Sequence, residues 1–148
     1  MTVGPDVQLW ATAISTNAQN GRVIIFRYAR KFHATFDRAS QPIRIIIVWK
    51  YQSESGQPIT EEHRRMNELE DALDSVLDQD RFTTLALVST GENLREWTYY
   101  AKSEDEFMGR LNYALLEKPV FPIEIHVARD PEWTMYEEFA AGVKEVAE

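Results

Sequence analysis

The sequence predicts an α+β fold: a ferredoxin-like βαββαβ antiparallel sheet with an N-terminal β-hairpin and a C-terminal helix. Three observations predict it. Residues 42–129 alternate between β-branched apolar runs and segments whose apolar residues recur at three- and four-residue spacing. Before them, two β-prone segments flank a cluster of turn formers. After them, Asp130-Pro131-Glu132-Trp133 opens a further helical pattern. The 148 residues fit one domain. It divides into a hairpin and loop (7–41), the βαββαβ unit (42–129) and the last helix (130–146).

Taken in order, residues 7–14 and 23–28 are β-prone, and Asn20-Gly21 between them tolerates the positive φ of a tight turn. Residues 30–41 are mixed and basic, and read as a loop or irregular edge. Ile43-Arg44-Ile45-Ile46-Ile47-Val48-Trp49 is β-branched and nearly continuously apolar, which marks a central strand covered on both sides. The polar run 52–58 breaks it. Thr60 is placed to cap the next helix, with Glu61 and Glu62 in the first turn, where the helix dipole favours acids. Met66, Leu69, Leu73, Val76 and Leu77 form its apolar stripe.

Residues 82–89 and 96–102 are strands joined through Thr90-Gly91-Glu92-Asn93. Ser103 and Glu106 have capping-box spacing at the start of a second helix, whose stripe is Phe107, Leu111, Ala114 and Leu115. Pro119 and Pro122 end it. Ile123, Ile125 and Val127 alternate with Glu124 and His126, as in a half-buried strand. Asp130 then caps a last helix with Pro131 at its first position and Trp133, Tyr136, Phe139, Ala140 and Val143 on its apolar face.

Composition excludes several functions. The absence of cysteine removes disulfides, thiolate catalysis and Cys-ligated metal sites. A net charge of −8 opposes a broad phosphate-binding surface, so no DNA partner is expected. Residues 1–6 lack the regions of a signal peptide, and the longest apolar run is far short of the about 20 residues that span a bilayer. A cytoplasmic protein without a membrane partner is the expectation.

Histidine is scarce. His63 stands beside Glu61 and Glu62, but positions 59 and 67 are Ile59 and Asn67, so metal spacing is absent and no metal or other cofactor is expected. His33 lies in a basic stretch. His126 and Glu124 share the polar side of a strand and could work as an acid–base pair. Glu70, Asp74 and Asp78 align at four-residue intervals, a solvated face opposite the apolar stripe. No glycine-rich phosphate loop and no Gly-x-Ser-x-Gly elbow occurs. Trp97 and Tyr99 point to one sheet face, Thr98 and Tyr100 to the other, and Trp49 shares a face with Ile43, Ile45 and Ile47. Both faces therefore need cover, which the last helix is expected to supply for the face that the two internal helices leave open.

Thr60-Glu61-Glu62 with Leu69-Glu70-Asp71-Ala72-Leu73, Arg95-Glu96-Trp97-Thr98-Tyr99-Tyr100, and Asp130-Pro131-Glu132-Trp133 with Tyr136 together resemble the bacterial "domain of unknown function 695" family. The resemblance runs over about residues 7–139. Some longer members carry a following domain similar to the ribonuclease E inhibitor RraB, which is not expected after the Trp133 helix here. The resemblance implies a bacterial source and a stand-alone binding or regulatory module, with no reaction attached.

The expected function is a non-enzymatic protein-binding or regulatory module, engaging an unidentified protein partner or a second copy through a sheet face or edge. The candidate binding residues are Trp97, Tyr99, Tyr100, Glu124, His126 and Trp133. One alternative is an RNA-binding regulator stacking bases on strand aromatics, although Glu96 stands where the RNA-recognition pattern has glycine. Another is a small-molecule enzyme using Glu124 and His126.

Overall fold

The computed structural model describes residues 6–143. Among them lie strands β1 (Val7–Thr16), β2 (Val23–Phe32) and β3 (Ile43–Lys50), helix α1 (Thr60–Leu77), strands β4 (Thr83–Gly91) and β5 (Leu94–Ala101), helix α2 (Glu104–Leu115), strand β6 (Ile123–Arg129) and helix α3 (Thr134–Gly142). The strands form one antiparallel sheet in the order β1-β2-β4-β5-β3-β6. The class is α+β, as expected. The hairpin extends the sheet, as Tyr28 to Ile25 of β2 pair with Leu87 to Thr90 of β4, and the ferredoxin-like description does not carry over to the resulting single six-stranded sheet.

Two turns set the hairpins. Gly21 takes φ 72° between β1 and β2. Glu92 and Asn93, at φ 52° and 65°, make the two-residue connection of β4 to β5 with the left-handed backbone such a tight hairpin demands.

Helices α1 and α2 cover one face. Met66, Leu69, Leu73 and Leu77 of α1, with Phe107 and Leu111 of α2, pack on Ile45, Ile47, Trp49, Trp97 and Tyr99 in one buried cluster. Each such side chain contributes about 1.5–3 kcal/mol. Ile125 packs at its margin, half-buried, and Val76 is half-buried along the outer side of α1. A bulge at Ala86 interrupts the register of β4, so Leu85 and Val88 both join this cluster while Ala86 and Leu87 face the other way.

Helix α3 covers part of the opposite face. Trp133 and Tyr136 pack with Tyr100 and Ala86, and Phe139 lies against Phe26 and Tyr28. Trp133 stacks on Tyr100 at 4.1 Å and 11°, and its indole N–H donates to the Gln41 carbonyl at 3.0 Å. This is the intramolecular cover that the two-faced sheet requires.

Three caps differ from expectation in detail. Thr60 is the first residue of α1 rather than its cap; Ile59 holds that position and offers no side-chain acceptor. Ser103 accepts from the Glu106 N–H at 3.2 Å, but the Glu106 carboxylate turns to Arg110 instead of completing the box. Asp130 does cap α3, accepting from the Thr134 and Met135 N–H groups at 2.8 and 3.2 Å. The helix nevertheless begins at Thr134, because residues 130–133 close a turn through Trp133 N–H to Asp130 C=O. Pro131 sits in that turn, and the expected helical residues 144–146 fall outside the described residues.

Candidate functional site

Helix α1 carries charge on two flanks, and both are built by its packing. On the inner flank, Glu70 follows Met66 by four residues and precedes Leu73 by three, so helical geometry turns it toward the sheet. It is 4% exposed. Its Oε1 accepts from Arg27 at 2.8 Å, from the Trp97 indole N–H at 2.9 Å and from Arg95 at 3.2 Å. Arg95 points the same way as Trp97 and Tyr99 along β5, and its guanidinium lies 5.0 Å from the Trp97 ring centroid. Burial pushes the Glu70 carboxyl up, but Arg27, Trp97 and Arg95 together hold it below the ordinary carboxylate range. Glu70 is thus a buried anion rather than part of a solvated acidic face.

A cleft opens beside this cluster, lined by Arg27, His63, Asn67, Glu70, Asp71 and Arg95, with a volume of about 420 Å³. A chamber of about 140 Å³ adjoins it through Arg27, His63 and Arg95 and adds Ile25, Val88 and Gln57. Partial burial lowers the His63 pKa, and the nearby Arg95 and Arg27 charges lower it further, so the ring is neutral near pH 7. Its Nδ1 lies 3.5 Å from the Asn67 amide nitrogen. Gln57 braces the chamber, donating to the carbonyls of Val23 and Thr90 at 2.8 and 3.3 Å.

Asp74 and Asp78 also depart from a solvated face. Burial, with the neighbouring charges of Asp78, Glu70 and Asp71, pushes Asp74 up to about 7, and burial alone pushes Asp78 to about 6. Asp74 Oδ2 is buried without a hydrogen-bond partner.

The outer flank of α1 forms a groove with α2. Ala72, Val76 and Ala114 lie along it, with Glu68, Asp71, Glu117 and Lys118 at its edges. Tyr113 and Leu116 project beside it, 70% and 74% exposed. Arg110 fixes the two helices at this end, donating to the Val76 and Gln79 carbonyls and to the Asp80 carboxylate, and so covering the carbonyl end of α1.

The candidate residues of the sequence are not brought together. Trp97, Tyr100 and Trp133 are fully buried and Tyr99 is 1% exposed. Trp97 and Tyr99 lie under the α1–α2 layer, Tyr100 and Trp133 under α3. None offers a ring to a partner or a nucleobase; alternation along a strand tells which face a residue takes, not what covers it. Glu124 and His126 are side by side on the edge strand β6, 3.5 Å apart and well exposed, and line neither the cleft nor the groove. Sequence reasoning missed Arg27, Arg95 and Glu70 as one cluster. The available signal was a basic residue in phase with Trp97 and Tyr99 on a strand, opposite an acid in phase with a helix stripe.

Among the described residues no three His, Asp or Glu side chains are grouped to hold a metal ion, and no helix is long and apolar enough to cross a membrane. Residues 8–140 match the family described as "Family of unknown function (DUF695)". No curated protein and no solved structure matches the chain.

Proposed function

The chain belongs to the DUF695 family of unknown function, and from that premise we propose a non-enzymatic protein-binding module whose partner surface is the α1–α2 groove. The observation that carries this reading is the pairing of exposed Tyr113 and Leu116 with Glu68, Asp71 and Glu117 on one groove. Large apolar side chains left in water beside a helix groove suit an amphipathic segment laid along it. The acids select a segment bearing Lys or Arg, and the net charge of −8 speeds its encounter. A regulatory role in a cytoplasmic setting is part of the same proposal, supported by the cysteine-free, acidic composition.

The test uses a helical peptide with Leu at four-residue spacing and Lys on its flanks, and the same peptide with Glu for Lys, each titrated by fluorescence anisotropy. The Lys peptide should bind with salt-sensitive affinity and the Glu peptide should not. The Tyr113→Ser/Leu116→Ser variant, whose side chains are already in water, should fold normally and lose the binding. Equal binding of both peptides, or binding unchanged in the variant, would overturn the assignment of this groove.

A further inference from the structure

We propose that the cleft at Arg95, separate from the α1–α2 groove, is a binding site for a small carboxylic acid bearing a short branched apolar chain. The argument begins with Arg95. It is 3% exposed, yet its described contacts are one bond from Nη2 to Glu70 Oε1 at 3.2 Å and the face of Trp97. Its Nε is buried without a hydrogen-bond partner. A guanidinium carries five N–H donors in a planar fork that matches a carboxylate. Burying such a group with a donor unused is costly, and a ligand that supplies the acceptor removes that cost.

Glu70 does not meet that demand. The oxygen facing Arg95 already accepts from Arg27 and Trp97 as well. The cleft is lined by Arg95, Arg27, Asn67 and a neutral His63, with the Glu70 carboxylate, whose Oε1 is already taken, and with Asp71 exposed. When the Asn67 amide donates to His63 Nδ1, the ring proton sits on Nε2 and the imidazole becomes a further donor. The Arg95 Nε–H and the His63 ring N–H are the donors left for an incoming oxyanion.

The adjoining chamber selects what is attached to it. Ile25 and Val88 supply an apolar wall, and Gln57 is held against the backbone, closing the end. At about 140 Å³ the chamber suits a chain of a few carbons. A carboxylate at the Arg95 fork with a branched chain between Ile25 and Val88 occupies both spaces at once. Phosphate would satisfy the fork and leave the chamber empty.

Isovalerate is the probe, with acetate, inorganic phosphate and isobutylamine as comparisons, followed by NMR of the Arg95 Nε–H and the His63 ring. Isovalerate should shift both signals saturably and raise the His63 pKa, because an anion beside the ring favours its protonated form. It should bind about tenfold or more tightly than acetate, given its additional buried carbons. Isobutylamine should not bind. The paired variant Glu70→Gln/Arg95→Met removes the fork together with its buried counter-ion, and its melting curve reports folding independently; it should lose the isovalerate response. Phosphate binding as tightly as isovalerate, absence of a saturable shift in the wild-type protein, or an unchanged response in the folded paired variant would each overturn the proposal. An Ile25→Phe variant, at a half-buried position of the chamber wall, should abolish the advantage of isovalerate over acetate while leaving acetate binding in place; an intact advantage would count against the chamber.

Discussion

Glu70 and Arg95 form a buried ion pair whose two members depend on each other. Arg27 also holds Glu70, but Arg95 has no other acid among the described residues, so Glu70→Ala leaves a buried guanidinium unpaired and should cost about 3–5 kcal/mol. Glu70→Gln/Arg95→Met should cost much less than the sum of its single changes, which urea denaturation of the four proteins would show as a large coupling energy. Asp74 behaves oppositely with pH. Its folded value of about 7 lies above the ordinary 3.8, so the folded state binds the proton more tightly than the unfolded chain. Its contribution is fully present below the unfolded value and is lost as pH rises through the folded one. Asp74→Asn should therefore stabilise the protein by about 1–2 kcal/mol at pH 8, after allowance for the side chain's partial exposure, and progressively less toward pH 4. Thermal melts of both proteins across that range measure it. Glu70, held below its ordinary 4.5, contributes stability above that value and loses it as pH falls through the folded one. Glu70 thus favours pH above its folded value and Asp74 favours pH below its own.

At the scale of the element, α3 is short and its stability comes from contacts outside itself. Asp130 joins them, accepting from the Thr134 and Met135 N–H groups and from the Tyr100 hydroxyl at 2.8 Å. Asp130→Ala should cost about 2 kcal/mol, at the upper end for a cap because a buried phenol loses its acceptor too. Trp133 takes φ 57°, an uncommon conformation for a bulky residue, and is held there by Tyr100 stacking and by its bond to Gln41. Trp133→Ala should cost about 3–5 kcal/mol. Truncation from Glu132 onward should uncover Tyr28, Ala86, Leu87 and Tyr100 and produce aggregation, read by light scattering; a monomeric product with an unchanged melt would contradict the docking. On α1, Leu73→Ala should cost about 2–5 kcal/mol, since Leu73 is 1% exposed within the main cluster.

Across the whole molecule, β3, β4 and β5 hold the centre of the sheet, covered by α1 and α2 on one face, while β1 and β6 form its edges. Native-state hydrogen exchange should be slowest for amides of β3 and β5, with opening energies near the global value, and fastest for outward amides of β1 and β6. Equal protection along β6 would reveal that its free edge is paired with another chain. Within the chain that edge carries Glu124, His126 and Arg129, all exposed, and polar side chains of this kind discourage edge-to-edge pairing.

The sequence by itself determined the local structure and the family. Periodicity located α1 and α2 because an amphipathic stripe is a property of consecutive residues. Asn20-Gly21 and Ser103 marked a turn and a cap because those depend on residues a few positions apart. The need to cover both sheet faces was legible from Trp97, Thr98, Tyr99 and Tyr100 in alternation. Tertiary structure alone decided what became of the charges. Arg27, Glu70 and Arg95 are far apart in sequence, and their meeting depends on how β2, α1 and β5 are juxtaposed. The same juxtaposition buried the aromatic rings and left Tyr113 and Leu116 in water, because burial is set by which surfaces meet, a long-range outcome that no local pattern encodes.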